Sequence, residues 1–294
     1  MNKSVKTDNI IYIDTDSVFF SISNILENNG IGNDKWFSID KEIRIKYIIK
    51  ISKYIETVVN NRSYHETQLL DYNSCVHQDD FSIKLKQEII CANALFLKSK
   101  MYAFWVINEE GYDTDKIDAK GIEIVRSSSP TVFRVALKEI LNLLLKDKSD
   151  DEMSNIVKKY KKEFYTASPE DISVNIGVNG INKYIINDEF KKGTPYHIKG
   201  VANYHKLLKE FGIDKKYNFI HEGDKCKVAY IKPNKYNIDV ITFYKYPKEF
   251  LDNGIYIDYD IMIEKYFIKK ANIILEPITK SYILEDTNIM DTFF

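Results

Sequence analysis

Cysteine is scarce in this 294-residue chain, and the three present, Cys75, Cys91 and Cys226, are widely spaced. None belongs to a CxxC pair, which argues against a structural zinc site and for a reducing compartment. Long apolar runs are missing as well. Lys, Asn or Glu interrupts every hydrophobic stretch well short of the ~20 residues that a membrane span requires. The first residues, MNKSVKTDN, contain no apolar core segment of the kind found in secretory signals, so a soluble, cytoplasmic protein is expected. Arginine is rare, at Arg44, Arg62, Arg126 and Arg134 only, whereas Lys, Asn, Ile and Tyr abound. Those four have AT-rich codons, so the bias reports genome composition.

What is present is an ordinary globular balance, 44% hydrophobic and 29% charged, in a length that suits one large or two moderate domains. The net charge of −1 is unevenly spread. Between Lys191 and Lys235 stand eleven lysines against Glu210, Asp214, Glu222 and Asp224, a net +7, so the remainder carries −8. Such a segment can be a solvated surface or a face for phosphate.

Two β-prone runs, 9–13 and 17–22, flank Asp14-Thr15-Asp16 and predict a hairpin with an acidic turn. Apolar residues at Tyr47/Ile48, Ile51, Tyr54/Ile55 and Val58/Val59 predict a helix over 41–59 with one buried stripe. Strands are expected over 81–91 and 100–108. Ser129-Pro130 predicts a helix start, followed by a stripe of Phe133, Ala136/Leu137, Ile140/Leu141 and Leu144. A charged helix is expected over 150–164, a short element after Ser168-Pro169, and a helix near 204–211. The strand-rich half gives way to a helix-rich one near Arg126–Pro130.

The sharpest chemical feature is Tyr12-Ile13-Asp14-Thr15-Asp16-Ser17. Two carboxylates on a rigid turn suit hard cations such as Mg²⁺, and strand alternation would aim Asp14 and Asp16 to one side. The string resembles the YGDTDS signature of family B DNA polymerases, with Ile13 in place of the usual glycine, a change expected to tighten packing near the turn. Lys98-Ser99-Lys100-Met101-Tyr102-Ala103 is similar to the family's KKRYA strand, matching at Lys100 and Tyr102 and departing at Ser99 and Met101. Lys120-Gly121-Ile122-Glu123 through Arg126 resembles the KGxExxR segment that leads into the thumb. Pro195-Tyr196-His197-Ile198-Lys199-Gly200, Ile257-Asp258-Tyr259 and the run 263–269 resemble thumb segments of the T-even-phage type. Thr287 to Phe294 resembles a clamp-binding peptide, with an aliphatic residue three positions before an aromatic pair.

The resemblance implies an α+β fold: an antiparallel-sheet half-palm over 1–126, a mainly helical thumb with short strands over 127–280, and a clamp-binding tail over 281–294. It implies template-directed nucleotidyl transfer by two Mg²⁺ ions, with Asp16 as principal ligand, Asp14 in support and Glu88 as an additional palm acid. DNA contacts are implied at Lys98, Lys100, Tyr102, Lys120, Arg126, Lys191, Lys192, His197 and Lys199. Clamp contacts are implied at Ile289, Met290, Phe293 and Phe294.

The family's DxxSLYPS and KxxxNSxYG motifs and its exonuclease acids are missing from this sequence. An N-terminal polymerase subunit carrying them is therefore expected, beside primer-template DNA, deoxynucleoside triphosphates and a sliding clamp, in a phage-infected bacterial cytoplasm. Met1 so close to the first strand favours a split gene over a truncated chain. The half-palm alone should be inactive and should expose an apolar sheet edge or face. The competing expectation is a non-catalytic DNA- and clamp-binding module derived from a polymerase. Retention of both turn acids favours the enzyme.

Overall fold

The computed structural model describes residues 9–74, 84–122, 129–146, 150–186 and 189–275. Arg126 and the tail with Ile289, Met290, Phe293 and Phe294 lie outside the described residues. The fold is α+β, with antiparallel sheets and many short helices. Cα proximity divides it into two compact units, Met1–Ala94 with Phe104–Asp118 and Leu95–Ala103 with Ala119–Phe294.

The chain begins with the expected hairpin, β1 (Ile10–Asp14) and β2 (Ser17–Phe20), paired Asp14 to Ser17 and Ile13 to Val18. Two short helices follow, α1 (Ser23–Asn28) and α2 (Asn33–Ser38), then the long α3 (Lys41–Ser74). Next come β3 (Ile89–Lys98), β4 (Met101–Glu109) and β5 (Tyr112–Lys120), in that order across one sheet. Ile45 of α3 packs with Ile90 and Ile107, and Ile48, Ile49, Ala92 and Trp105 surround them. Burial of these branched side chains holds the helix to the sheet.

Of the strand expected over 81–91, residues 81–83 lie outside the described residues, and β3 starts only at Ile89 because residues 85–87 are engaged by side chains of α3. Asn60 accepts from the Leu85 N–H at 2.6 Å and donates to its carbonyl at 2.9 Å. Glu56 accepts from the Gln87 N–H at 2.5 Å. Strand β5 has no apolar run to announce it, since it is a charged edge strand. Its acids are partners for β4: Trp105 Nε1 donates to Asp115 at 2.7 Å and Asn108 to Asp113 at 3.0 Å.

After β5 the second unit continues with α4 (Thr131–Leu145), whose N-cap is Pro130, and α5 (Asp150–Thr166). Phe133 and Phe164 meet edge to face at 4.7 Å, and Phe267 closes the trio at 4.8 Å from Phe164. The short α6 (Pro169–Ile172) is capped by Ser168, which accepts from the Asp171 N–H. Then come β6 (Val174–Gly177), α7 (Ile181–Tyr184), β7 (Ile185–Ile186), β8 (Glu189–Phe190) and α8 (Tyr196–Glu210). Strands β9 (Lys225–Tyr230) and β10 (Val240–Phe243) complete a sheet of order β10-β9-β6, antiparallel throughout. The chain continues through α9 (Lys248–Asp252), α10 (Tyr259–Ile263), a π-helical turn (Glu264–Ile268) and α11 (Lys269–Leu275).

Helix α8 is longer than its apolar pattern suggests because its first half is held by a strand. A Cβ on Gly200 would lie 2.5 Å from Thr242 Oγ1 and 2.7 Å from its backbone nitrogen, so glycine permits the approach. Thr242 Oγ1 donates to the His197 carbonyl at 2.7 Å, and Asn203 donates to the Val240 carbonyl at 2.8 Å.

Farther along α8, His205 Nε2 accepts from the Ile220 N–H at 2.8 Å, with the Phe219 ring 4.9 Å away. Burial, with the nearby charges of His221 and Lys209, pushes its pKa down from 6.5 to about 4. The unfolded chain takes up this proton first as pH falls, so stability is full above about 6.5 and lost as pH drops toward 4. Urea unfolding between pH 7 and 4 should show this decline, and His205→Gln should flatten it. An equal slope in parent and variant would assign the acid sensitivity to other groups.

Candidate functional site

Asp14 and Asp16 sit at the tip of the β1–β2 hairpin in unlike surroundings. Asp14 ends its strand and is buried, at 8% exposure, while Asp16 is exposed in the two-residue turn. The Asp16 N–H donates to the Asp14 carbonyl at 2.6 Å, and Ser17 Oγ donates to the same carbonyl at 3.1 Å. Thr15 Oγ1 donates to Asp14 Oδ1 at 3.3 Å. Strand alternation stops at Asp14, because Thr15 adopts φ +50° and turns the chain. A left-handed β-branched residue costs about 1–3 kcal/mol. The packing of Phe19 against Tyr12, at 6.0 Å, and Phe104, at 5.0 Å, anchors the hairpin. Ile13 is 60% exposed, so it does not tighten the packing near the turn as its sequence position suggested.

Glu88 is exposed just ahead of β3, and its carbonyl accepts from the Glu110 N–H at 2.7 Å. It lines an open depression of about 470 Å³ with Ile89, Glu109, Glu110, Tyr112, Asp113 and Thr114. Asp14 and Asp16 are not part of that lining. Two of its lining acids are paired with lysines that are not part of the lining, Glu110 with Lys86 at 3.3 Å and Glu109 with Lys116 at 2.6 Å.

A basic end of the β3-β4-β5 sheet is built by two tight constraints. Lys98 and Lys100 are exposed around the β3–β4 turn, where Lys100 has φ +59°. Lys120 ends β5, and its Nζ lies 5.7 Å from the ring centre of Tyr102. Tyr102 is only 7% exposed and packs on Phe96, so the ring supports a lysine and offers little surface of its own. Gly121, at φ +72°, brings this strand end against the turn: a Cβ there would lie 2.1 Å from the Lys100 carbonyl oxygen. Glycine is required on both grounds.

Lys191 and Lys192 are exposed between β8 and α8. His197 and Lys199 are half-buried on the first turns of α8. Burial lowers the His197 pKa, so at neutral pH its ring is a hydrogen-bonding group and not a cation. The sequence pattern did not foretell an aromatic and cationic stack nearby. Tyr196 lies parallel to Tyr230 at 5.8 Å, Lys265 Nζ stands 3.9 Å from the Tyr230 ring centre, and the Tyr196 and Tyr266 hydroxyls are 3.4 Å apart. Only the tyrosine-rich composition hinted at it; separations of 34 to 70 residues conceal the partners.

A sequence profile of DNA polymerase family B matches residues 2–278. The chain belongs to that family. It is similar to the DNA-directed DNA polymerase of Enterobacteria phage T4, with 23% identity over 289 residues, and to that of Escherichia phage RB69, with 24% over 275. These alignments cover 92% and 88% of this chain but only 30% and 29% of the two relatives. This is a family B polymerase sequence of the T-even-phage type that spans less than a third of its curated relatives' length.

Family B polymerases generally use divalent metals. Asp14 and Asp16 offer hard oxygen donors from one turn, and the Asp16 carboxylate makes no hydrogen bond or ion pair with the described residues. The donor chemistry fits such an ion, as part of a ligand set. No cluster of three or more His, Cys, Asp or Glu suited to a metal occurs among the described residues. Nor, among them, is any helix long and apolar enough to cross a membrane.

The Gly121 contact is directly testable. Gly121→Ala should lower stability by about 2 kcal/mol or more, combining a clash with the Lys100 carbonyl and a left-handed alanine. An unchanged urea midpoint would mean that the strand end can move aside freely.

Proposed function

We propose that this chain is the C-terminal catalytic part of a split family B DNA-directed DNA polymerase. It would perform template-directed nucleotidyl transfer once joined by an N-terminal polypeptide carrying the first palm motif, fingers and exonuclease. The observation that carries this reading is the Asp16 carboxylate, exposed and without a hydrogen bond or ion pair among the described residues, on a turn held in a costly conformation. Thr15 holds the left-handed position, where glycine or asparagine would cost less.

In this reading residues 1–126 complete the palm, 127–280 form the thumb, and 281–294 grip a sliding clamp through Ile289, Met290, Phe293 and Phe294. Asp16, supported by Asp14, would hold two Mg²⁺ ions together with a carboxylate of the partner. Those ions, when bound, supply activation of the primer hydroxyl and charge neutralisation at the triphosphate. Asp14, being buried and hydrogen-bonded within the turn, fixes the direction of Asp16. Glu88 stands with other carboxylates at the depression and serves as a secondary palm acid. Lys98, Lys100 and Lys120 meet primer phosphates as point charges, and Tyr102 positions Lys120. Lys191, Lys192 and Lys199 meet duplex phosphates farther from the primer end, with His197 and Arg126 adding hydrogen bonds.

Asp16→Asn preserves size and removes the charge. In the assembled enzyme, primer extension should fall by about 1,000-fold, equivalent to roughly 4 kcal/mol of barrier, with DNA affinity little changed. Near-normal extension would remove Asp16 from the chemistry and favour the accessory-module reading. The purified single chain should extend nothing, and robust synthesis by it would overturn the split.

Neutralising Lys191, Lys192 and Lys199 together tests the thumb. The slope of log affinity against log salt should shallow by roughly 2 to 3, at about 0.9 per phosphate contact. An unaltered slope would place the DNA elsewhere.

A further inference from the structure

Helix α3 uses opposite sides for different purposes. One side is engaged: Ile45 and Ile49 pack on the sheet, while Glu56 and Asn60 hold residues 85–87. Roughly opposite, at helical spacing i, i+4, i+11 and i+15, lie Ile43, Tyr47, Tyr54 and Val58. They are 47%, 54%, 72% and 48% exposed. The stripe runs for about 22 Å at 1.5 Å per residue. Lys46, Lys50 and Lys53 are exposed along one flank of it. In all, residues 41–62 carry six basic residues against Glu42 and Glu56.

An exposed apolar stripe of this length is uncommon on an isolated soluble domain, and a basic margin selects what can cover it. We infer that this face of α3 is a docking seam for the polypeptide that supplies the rest of the polymerase, through an apolar surface with an acidic rim. The inference rests on the split-polymerase reading above. The occupant follows from size: about 70% of the length of a T-even-type polymerase lies beyond what this chain matches. Tyrosine suits such a seam, because its rigid ring fills a pocket at small entropic cost while its hydroxyl remains near water. Tyr47 and Tyr54 are accordingly the anchors, with Ile43 and Val58 closing the ends. The stripe alone is smaller than a stable interface, so it forms the centre of a larger contact.

The experiment titrates this full chain with the polypeptide of the same genome that carries the remaining family B sequence, followed by calorimetry. The double substitution Tyr47→Asp with Tyr54→Asp should raise Kd about 100-fold without shifting the chain's own melting temperature. Lys46→Glu, Lys50→Glu and Lys53→Glu together should weaken binding at low salt and much less at high salt. A photo-crosslinker at Tyr54, which needs no charge inside the seam, should capture that polypeptide. Binding unaffected by the substitutions, with no capture at Tyr54, overturns the seam and leaves the split reading standing. Failure of the parent chain to bind the polypeptide at all overturns the split reading, and the seam with it. If the crosslinker joins two copies of this chain instead, the occupant is a second copy and the inference is wrong.

Discussion

Burial of β4 is the constraint on which the acidic hairpin, the long helix α3 and the basic sheet end depend. Tyr102, Ala103, Phe104, Val106 and Ile107 all fall inside the structure, on a strand with neighbours on both edges. Each neighbouring feature takes its position from one of them. Phe104 receives Phe19 and so fixes the acidic hairpin; Ile107 receives Ile45 and so fixes α3; Tyr102 lies beneath Lys120. A fully buried branched or aromatic side chain is worth about 1.5–3 kcal/mol. The run of them on one strand makes its register expensive to change, since a one-residue slip would send each to the opposite face. Precision at the exposed turn is therefore derived from packing several residues away.

Where one stripe decides an element, the sequence is easily read. Phe133, Ala136, Leu137, Ile140, Leu141 and Leu144 predict α4; the first five are fully buried and Leu144 is half-buried. The failures have physical causes of a different sort. Strand β5 is an edge strand whose side chains partner the polar groups of β4, so neither alternation nor apolar content marks it. The start of β3 moved because side chains 25 and 31 residues away in sequence occupy the backbone of 85–87. Helix α8 extends back to Tyr196 through Gly200, a residue that weakens isolated helices but here allows contact with Thr242.

The site was partly legible for similar reasons. Acidic turn, lysine strand and Lys-Gly pair are local strings, and they carry the family resemblance, with the phosphate and metal chemistry it implies, without any fold. Their environments are not local. Asp14 and Asp16 are two positions apart, yet one is buried and the other exposed because Thr15 takes a left-handed conformation that no periodicity reveals. Tyr102 suggests a contact residue by type, and packing against Phe96 and Lys120 makes it a support. His197 suggests an exposed phosphate contact, and the fold half-buries it and lowers its pKa.

A net charge of −1 would seem to disfavour DNA, but charges on a protein surface act over about a Debye length, ~8 Å at physiological salt. What matters is how they are grouped. Lys98, Lys100 and Lys120 share one end of a sheet, and Lys191, Lys192 and Lys199 lie within nine residues at the start of α8. The acids of the Glu88 depression come from the residue ahead of β3 and from around the β4–β5 turn, and Lys86 and Lys116 offset two of them. A phosphate approaching either lysine group meets a local field that the total does not describe. The same reasoning applies to α3, where a basic margin by itself does not distinguish phosphate from an acidic protein surface. Its apolar stripe is what separates it from the other two lysine groups, because burying Tyr47 and Tyr54 against a phosphate backbone would gain nothing from their rings. In the proposed readings, charge of one sign would serve two kinds of surface, and the hydrophobic residues beside it would decide which.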